Sequence, residues 1–341
     1  MAVRKNKGGL LKRPKTITEK KFSPNSLKPQ QARALIRRYH VLQKNKHAII
    51  RKLQATKSRV LSEVNIENYK AIIKDVKNLE KVFQESFDKF DLSSVKNNST
   101  FVKVDDSLST TQLVQLLAEI DSEIAARGGI EAYQSASTQG QTAKRGGDSS
   151  KRLVEWLKTE EYKSRLNQNS ALEIGCLSPN NLISTCGIFD SIVRIDLNSQ
   201  SPLILEQNFM ERPLPRNNSE KFNLISCSLV INFVPSPKER GDMLLRITKF
   251  LREPTKDTLS SLFLVLPLPC ISNSRYFDNE ILQKIMASLG FKQVFYYEAK
   301  KVAYWLFDWQ GKRHQKLQVF TKKEAYSGSK RNNFCITLEA K

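Results

Sequence analysis

The chain has 341 residues, 40% of them hydrophobic, with 56 Lys and Arg against 34 Asp and Glu, a formal charge of +22. That length suits one catalytic domain plus a smaller helical unit. The charge asks for a polyanionic partner, nucleic acid before a membrane surface, and no apolar run approaches the roughly 18 to 20 residues that cross a bilayer.

Residues 1–25 are expected to be a basic disordered tail, rich in Lys, Gly, Pro and Thr, with the cluster Lys12-Arg13-Pro14-Lys15. They lack the apolar centre of a secretory signal, which points to a nuclear or cytoplasmic chain. Residues 26–132 are read as a helical extension. From 26 to 90 the apolar positions have helical spacing: Leu35, Ile36, Tyr39 and Leu42, then Ile49, Ile50 and Leu53, then a longer series from Ile66 to Phe90. The remaining face carries Arg37, Arg38, Lys44, Lys46, Arg51, Lys52, Lys57 and Arg59, a stripe able to track a phosphate backbone or simply to be solvated. A polar loop over 93–106 precedes one helix over 110–127, stopped by Gly128-Gly129. The Ser- and Gly-rich stretch 133–151 leads into an amphipathic helix over 151–157, and the domain opened there is read as 133–310.

Within that domain short apolar runs alternate with helices. Strands are expected over 171–175, 191–196, 203–209, 222–231 and 261–266, with helices over 238–251, ended before Pro254, and 278–289, closed by Gly290. Two further runs start at Gln293 and Val302. The pattern predicts an α/β, doubly wound, mainly parallel sheet with helices on both faces and an antiparallel edge from the last two strands. Residues 311–341 turn basic again, with Lys312, Arg313, Lys316, Lys322, Lys323, Lys330 and Arg331, and are expected to form a second RNA-facing extension. The five cysteines include no C-x-x-C pair and lie far in sequence from the three histidines, so no metal site is expected and the thiols are read as free.

In such a sheet the ligand lies beyond the carboxyl ends of the central strands. Gly175 ends the first strand, where a glycine permits close backbone approach, and Asp196 ends the second, at the spacing where an acidic group meets ribose hydroxyls. The first loop, E-I-G-C-L-S-P-N-N, is neither a dinucleotide fingerprint nor a Walker loop, both of which serve phosphates. S-adenosylmethionine carries no phosphate, so it is the favoured cofactor.

The blocks RGGDSSKRLVEWL, ALEIGCLSPNN, RIDLNS, QNFMERPLP, ISCSLVINFVPSPKERGDML and YWLFDW occur in order from Arg145 to Trp309. In these the chain resembles the fungal 25S rRNA adenine-N1 methyltransferases, over about half its length. The resemblance implies a class I methyltransferase fold, transfer of a methyl group to N1 of an adenine in large-subunit rRNA or a pre-ribosomal particle, and a nucleolar location. It also implies that Gly175 and Asp196 hold the cofactor. Asn208 stands where a carboxylate is common beside the cofactor's adenine, and its amide still offers a donor and an acceptor. Phe209 is a candidate stacking partner or a core residue. INFVP (231–235) takes the place of the Asn/Asp-Pro-Pro-aromatic motif of amino-group methyltransferases; Asn232 is a candidate to meet the base edge and Phe233 to stack on the flipped ring, with a turn former and a core phenylalanine as the equal alternatives. Neutral adenine N1 already has a lone pair, so alignment and desolvation are needed rather than a general base. The single glycine of the first loop motivates one alternative, a cofactor sensor, and a noncatalytic ribosome-assembly factor stands as a third reading.

Overall fold

The computed structural model describes residues 29–95, 104, 107–140, 147–166, 168–199, 201–311 and 317–339. The basic tail expected over 1–25 lies outside the described residues, as do Lys312, Arg313 and Lys316.

The helical extension is built from α1 (Pro29–Gln54), α2 (Arg59–Ser62), α3 (Tyr69–Lys74), α4 (Lys77–Asp88) and α5 (Thr110–Ala126), followed directly by α6 (Gly129–Gly140). A capping box starts α5: the Ser109 hydroxyl accepts from the Gln112 N–H, and the Gln112 side chain accepts in return from the Ser109 N–H. Leu42, Ile49, Leu53, Val64, Ile73, Leu113, Val114 and Leu117 give the unit a core of its own. Not all of the basic stripe faces outward. Arg38 makes a two-pronged bond to Glu123, with Nε 2.6 Å from Oε1, and Lys46 reaches Asp121 Oδ1 at 2.8 Å and the Tyr69 hydroxyl at 2.7 Å. Arg37, Arg51, Lys57 and Arg59 stay exposed. Helix α6 covers the first part of the stretch read as a Ser- and Gly-rich connection; Ala132 and Ala136, one turn apart, are buried and let it pack closely against α1.

The sheet domain follows as α7 (Ser150–Leu157), α8 (Glu160–Lys163), β1 (Ser170–Ile174), α9 (Leu182–Thr185), β2 (Ser191–Asp196), β3 (Leu205–Glu206), β4 (Leu224–Ser228), α10 (Pro237–Phe250), β5 (Ser261–Pro267), α11 (Pro269–Ser272), α12 (Asn279–Ser288), β6 (Phe291–Glu298) and β7 (Val302–Trp309). The seven strands form one sheet in the order β3-β2-β1-β4-β5-β7-β6. β1 to β5 are parallel, and β7, antiparallel to both neighbours, is inserted between β5 and β6. The last two strands therefore pair antiparallel as expected, yet the outermost strand runs with the majority.

Two strands are shorter than their apolar runs. β3 ends at Glu206 because Asn208 begins a turn: its carbonyl accepts from the Glu211 and Arg212 N–H groups and its side chain from the Met210 N–H. β4 ends at Ser228 because Leu229 takes φ +58° and residues 230–234 close in turns of their own. The basic C-terminal stretch does not stand away from the domain: Phe334, Cys335, Ile336 and Leu338 are buried in the sheet domain's core, and the Thr337 N–H donates to the Pro237 carbonyl at 3.0 Å. Room for this comes from Gly241 in α10, where an added Cβ would lie 1.8 Å from the Thr337 carbonyl oxygen.

Candidate active site

The carboxyl ends of β1, β2 and β4 converge. The β1–β2 register pairs Ile174 with Ile195, so the next residues out, Gly175 and Asp196, lie side by side. The Gly175 and Cys176 N–H groups both donate to the Ile195 carbonyl, at 2.8 and 3.1 Å, folding the first loop back over β2. Gly175 adopts φ +74°, and a Cβ there would meet Val230 Cγ2 at 2.4 Å. The glycine is thus required by backbone conformation and by the loop after β4.

Two carboxylates face this corner. Burial raises Glu173, opposed by hydrogen bonds from Asn181 and Cys176; its Oε1 accepts from Asn181 Nδ2 at 2.7 Å while Oε2 is buried with no partner. Burial also raises Asp196, offset in part by the Asn198 N–H, which donates to it at 2.9 Å. A buried acceptor without a donor costs about 1–3 kcal/mol until a ligand supplies one. The ammonium and ribose hydroxyls of S-adenosylmethionine are such donors, so Glu173 and Asp196 fit that cofactor. Asp148 braces the same loop: its carboxylate accepts from the Ser150 N–H at 2.8 Å and from the Leu182 N–H, joining α7 to α9. Ser149 and Ser228 hydroxyls meet at 2.8 Å across the α7–β4 gap.

The other expected residues separate. Asn208 is committed to its turn, with Nδ2 donating to Glu211 Oε1 at 2.7 Å. Phe209 is 3% exposed, packed on Phe250 with ring centroids 5.1 Å apart, and is a core residue. Asn232 and Phe233 lie in the turn beyond β4. Asn232 Oδ1 is shielded from solvent and has no partner, and Phe233 is 37% exposed. The loop is shaped from behind by Arg240, 3% exposed, whose guanidinium donates to the carbonyls of Val234 (2.9 Å), Pro235 (3.2 Å) and Cys335 (2.7 Å).

Three ring-bearing residues of α1 and α6 lie around the turn beyond β4 and carry no strand-end signal. Tyr39 of α1 stacks on Tyr133 of α6 at 4.4 Å, and His40 of α1 stacks on Phe233 at 3.8 Å, within 14° of parallel. Burial pushes the Tyr133 phenol up to about 12, opposed by Ser137 and assisted by Tyr39 and by Asp196, which brings α6 to the cofactor corner. Further along α1, Glu239 at the start of α10 lies 3.0 Å from His47 Nε2 and 2.7 Å from Arg51 Nη2. Among the described residues no group of His, Cys, Asp and Glu has a metal-binding arrangement, and no helix is long and apolar enough to cross a membrane.

The strand order, the single reversed strand β7, and Gly175 beside Asp196 at the ends of β1 and β2 define a class I S-adenosylmethionine-dependent methyltransferase domain. Residues 118–336 match the family model described as 25S rRNA (adenine(2142)-N(1))-methyltransferase, Bmt2, and the chain belongs to that family. It is 36% identical over 345 residues to the Saccharomyces cerevisiae "25S rRNA (adenine(2142)-N(1))-methyltransferase", covering 96% of this chain and 99% of the relative. It is 42% identical over 237 residues to the Schizosaccharomyces pombe "25S rRNA adenine-N(1) methyltransferase", covering 67% of this chain and 84% of the relative. Among solved structures, the S-adenosylmethionine-bound amino pentose methyltransferase CalS10 of Micromonospora echinaspora aligns at 12% identity and a TM-score of 0.36, over 50% of this chain and 94% of its own.

Proposed function

We propose that this chain transfers a methyl group from S-adenosylmethionine to N1 of an adenine in large-subunit rRNA, at the position corresponding to that named for the family, and that it does so in the nucleolus. The observation that carries this is the meeting of Gly175 and Asp196 at the paired ends of β1 and β2, with Val230 of the loop after β4 closing over Gly175. Glu173 and Asp196 hold the cofactor's polar groups, and Gly175 keeps the first loop low beneath it. The cofactor supplies an electrophilic methyl group to a nitrogen that already has a lone pair, so no side chain need remove a proton first. Asn232 Oδ1 accepts from the exocyclic amino group of the flipped base, and Phe233 offers a ring face for stacking. Arg240 holds the loop that presents both. The charge of +22, with exposed Arg37, Lys57, Arg59, Lys322, Lys323 and Lys330, supports rRNA as the partner through phosphate neutralisation.

The test is methyl transfer from labelled cofactor to large-subunit rRNA purified from cells that lack the protein, followed by mass spectrometry of the nucleosides. Labelled 1-methyladenosine is expected. Salt-sensitive RNA binding without transfer would point to an assembly factor instead, and cofactor binding without RNA binding to a sensor.

A further inference from the structure

In the arrangement described, one face of Phe233 is already covered. The cover is the imidazole of His40, laid flat at 3.8 Å by a helix that contributes no strand to the sheet. Tyr133 meets the edge of the same imidazole at 5.1 Å and 89°, so the ring sits in an aromatic slot. His40 Nε2 is shielded from solvent and has no hydrogen-bond partner, and so is Asn232 Oδ1, on the residue next to Phe233. Each orphan is a cost that a partner would remove. Burial, reinforced by Lys44 one turn further along α1, pushes the imidazole down to about 3, so the ring in the slot is uncharged. A flat, neutral nitrogen heterocycle on an aromatic platform is the chemical likeness of a stacked nucleobase.

We infer that His40 is a place-holder for the target adenine: it occupies the base's stacking position on Phe233 until RNA arrives and yields that position as the base enters. Adenine in the slot brings a larger ring to Phe233, and its amino group supplies the donor that Asn232 Oδ1 lacks. The displaced imidazole gains a partner for Nε2 in water or an RNA phosphate. One exchange thus satisfies two orphaned groups, and a base that has no amino group at the matching edge satisfies only one of them. His40 is therefore a specificity-determining residue contributed by the helical extension. The inference rests on Phe233 being the base platform of the proposed reaction.

The test uses the full chain with carbon-13-labelled histidine; the chain has three histidines, and His40→Gln assigns the resonance of His40. In the free protein that resonance is expected to be shifted upfield by the Phe233 ring current, and Phe233→Leu is expected to abolish the shift. An RNA oligonucleotide copying the 25S rRNA stretch around the family's adenine should move the resonance downfield, and the same oligonucleotide with an abasic site at that position should leave it in place. In parallel, His40→Ala, which empties the slot, is expected to lower the KM for RNA about fivefold, the equivalent of one aromatic stacking contact, with a smaller change in kcat. His40→Phe, which stacks without an orphan nitrogen and holds the slot more firmly, is expected to raise KM. A His40 resonance unmoved by the adenine-bearing RNA, or equally moved by the abasic RNA, overturns the inference, as does an equal KM in all three proteins. Methyl transfer with an unmoved His40 leaves the proposed activity standing without the place-holder, whereas a displaced His40 without transfer leaves the place-holder and removes the activity.

Discussion

The sheet domain and the helical extension are held together by different physics. Under the sheet, Leu262, Phe263, Leu264, Trp305 and Leu306 are fully buried among apolar neighbours, so stability there follows area removed from water. The extension also has an apolar core, but α1 is fixed to α5 by buried ion pairs, Arg38 to Glu123 and Lys46 to Asp121. Burial alone would raise Glu123, yet Arg38 and Arg127 hold it below the ordinary carboxylate range; burial outweighs Asp121 in lowering Lys46. Apolar packing tolerates many arrangements of similar area, whereas a two-pronged guanidinium–carboxylate bond tolerates one. The extension is thus held in a defined orientation, and with it Tyr39 against Tyr133 and His40 against Phe233.

The largest expected effects set the two regions against each other. Phe263→Ala, in the sheet core against Trp156, should lower unfolding stability by roughly 3–5 kcal/mol in a urea titration, whatever the salt. Asp121→Ala should cost about 3 kcal/mol by stranding Lys46 and Tyr69, and replacing the pair together as Lys46→Met and Asp121→Leu should return the part due to Lys46, the Tyr69 hydroxyl staying unpaired. If the double replacement remains as unstable as the single one, the extension is held by something other than the ion pair. A smaller effect is expected at the cofactor corner. Gly175→Ala forces a side chain into φ +74° and against Val230, and calorimetry should register a loss of cofactor affinity of about tenfold, or 1.4 kcal/mol. Undiminished affinity would remove the corner from the site.

The smallest expected effect concerns the join between the regions. Burial would raise Glu239, but His47, the Ser236 hydrogen bond and Arg51 bring it down to about 2, from an ordinary 4.5. A carboxyl depressed in the folded state stabilises above its unfolded value and loses that contribution as pH falls. Between pH 4.5 and about 2 the amides of α1 should therefore exchange hydrogen faster relative to those of the sheet. Glu239→Gln should show the faster exchange at neutral pH and no further dependence over that window.

Much of the sheet was legible because its signals are local. β1 and β5 are continuous buried runs, β2 and β7 are partly buried apolar stretches of strand length, α10 and α12 begin at Ser236 and Asp278 caps, and Gly175 and Asp196 follow from strand ends alone. α6 was hidden because its Ser, Gln and Gly residues resemble a linker, and only packing of Ala132 and Ala136 on α1 makes it a helix. Phe209 was undecidable between core and platform until its contact with Phe250 was seen. Tyr39, His40 and Tyr133 lay out of reach for another reason. In sequence Tyr39 is one apolar position in a helical stripe and His40 its neighbour; nothing local says that their helix lies against a loop nearly two hundred residues further on. Arg240 reads as one more cation on an amphipathic helix, and its burial depends in part on one carbonyl, that of Cys335, near the end of the described chain.

That dependence has a consequence for the order in which the molecule is made. Arg240 is separated by 95 residues from Cys335, whose carbonyl it grips while also holding Val234 and Pro235. During translation the strands that bear Gly175 and Asp196 leave the ribosome long before that carbonyl exists. A nascent chain can pair these strand ends early, but Arg240 gains the third of the carbonyl contacts by which it holds the 230–235 turn only after residue 335 has been added.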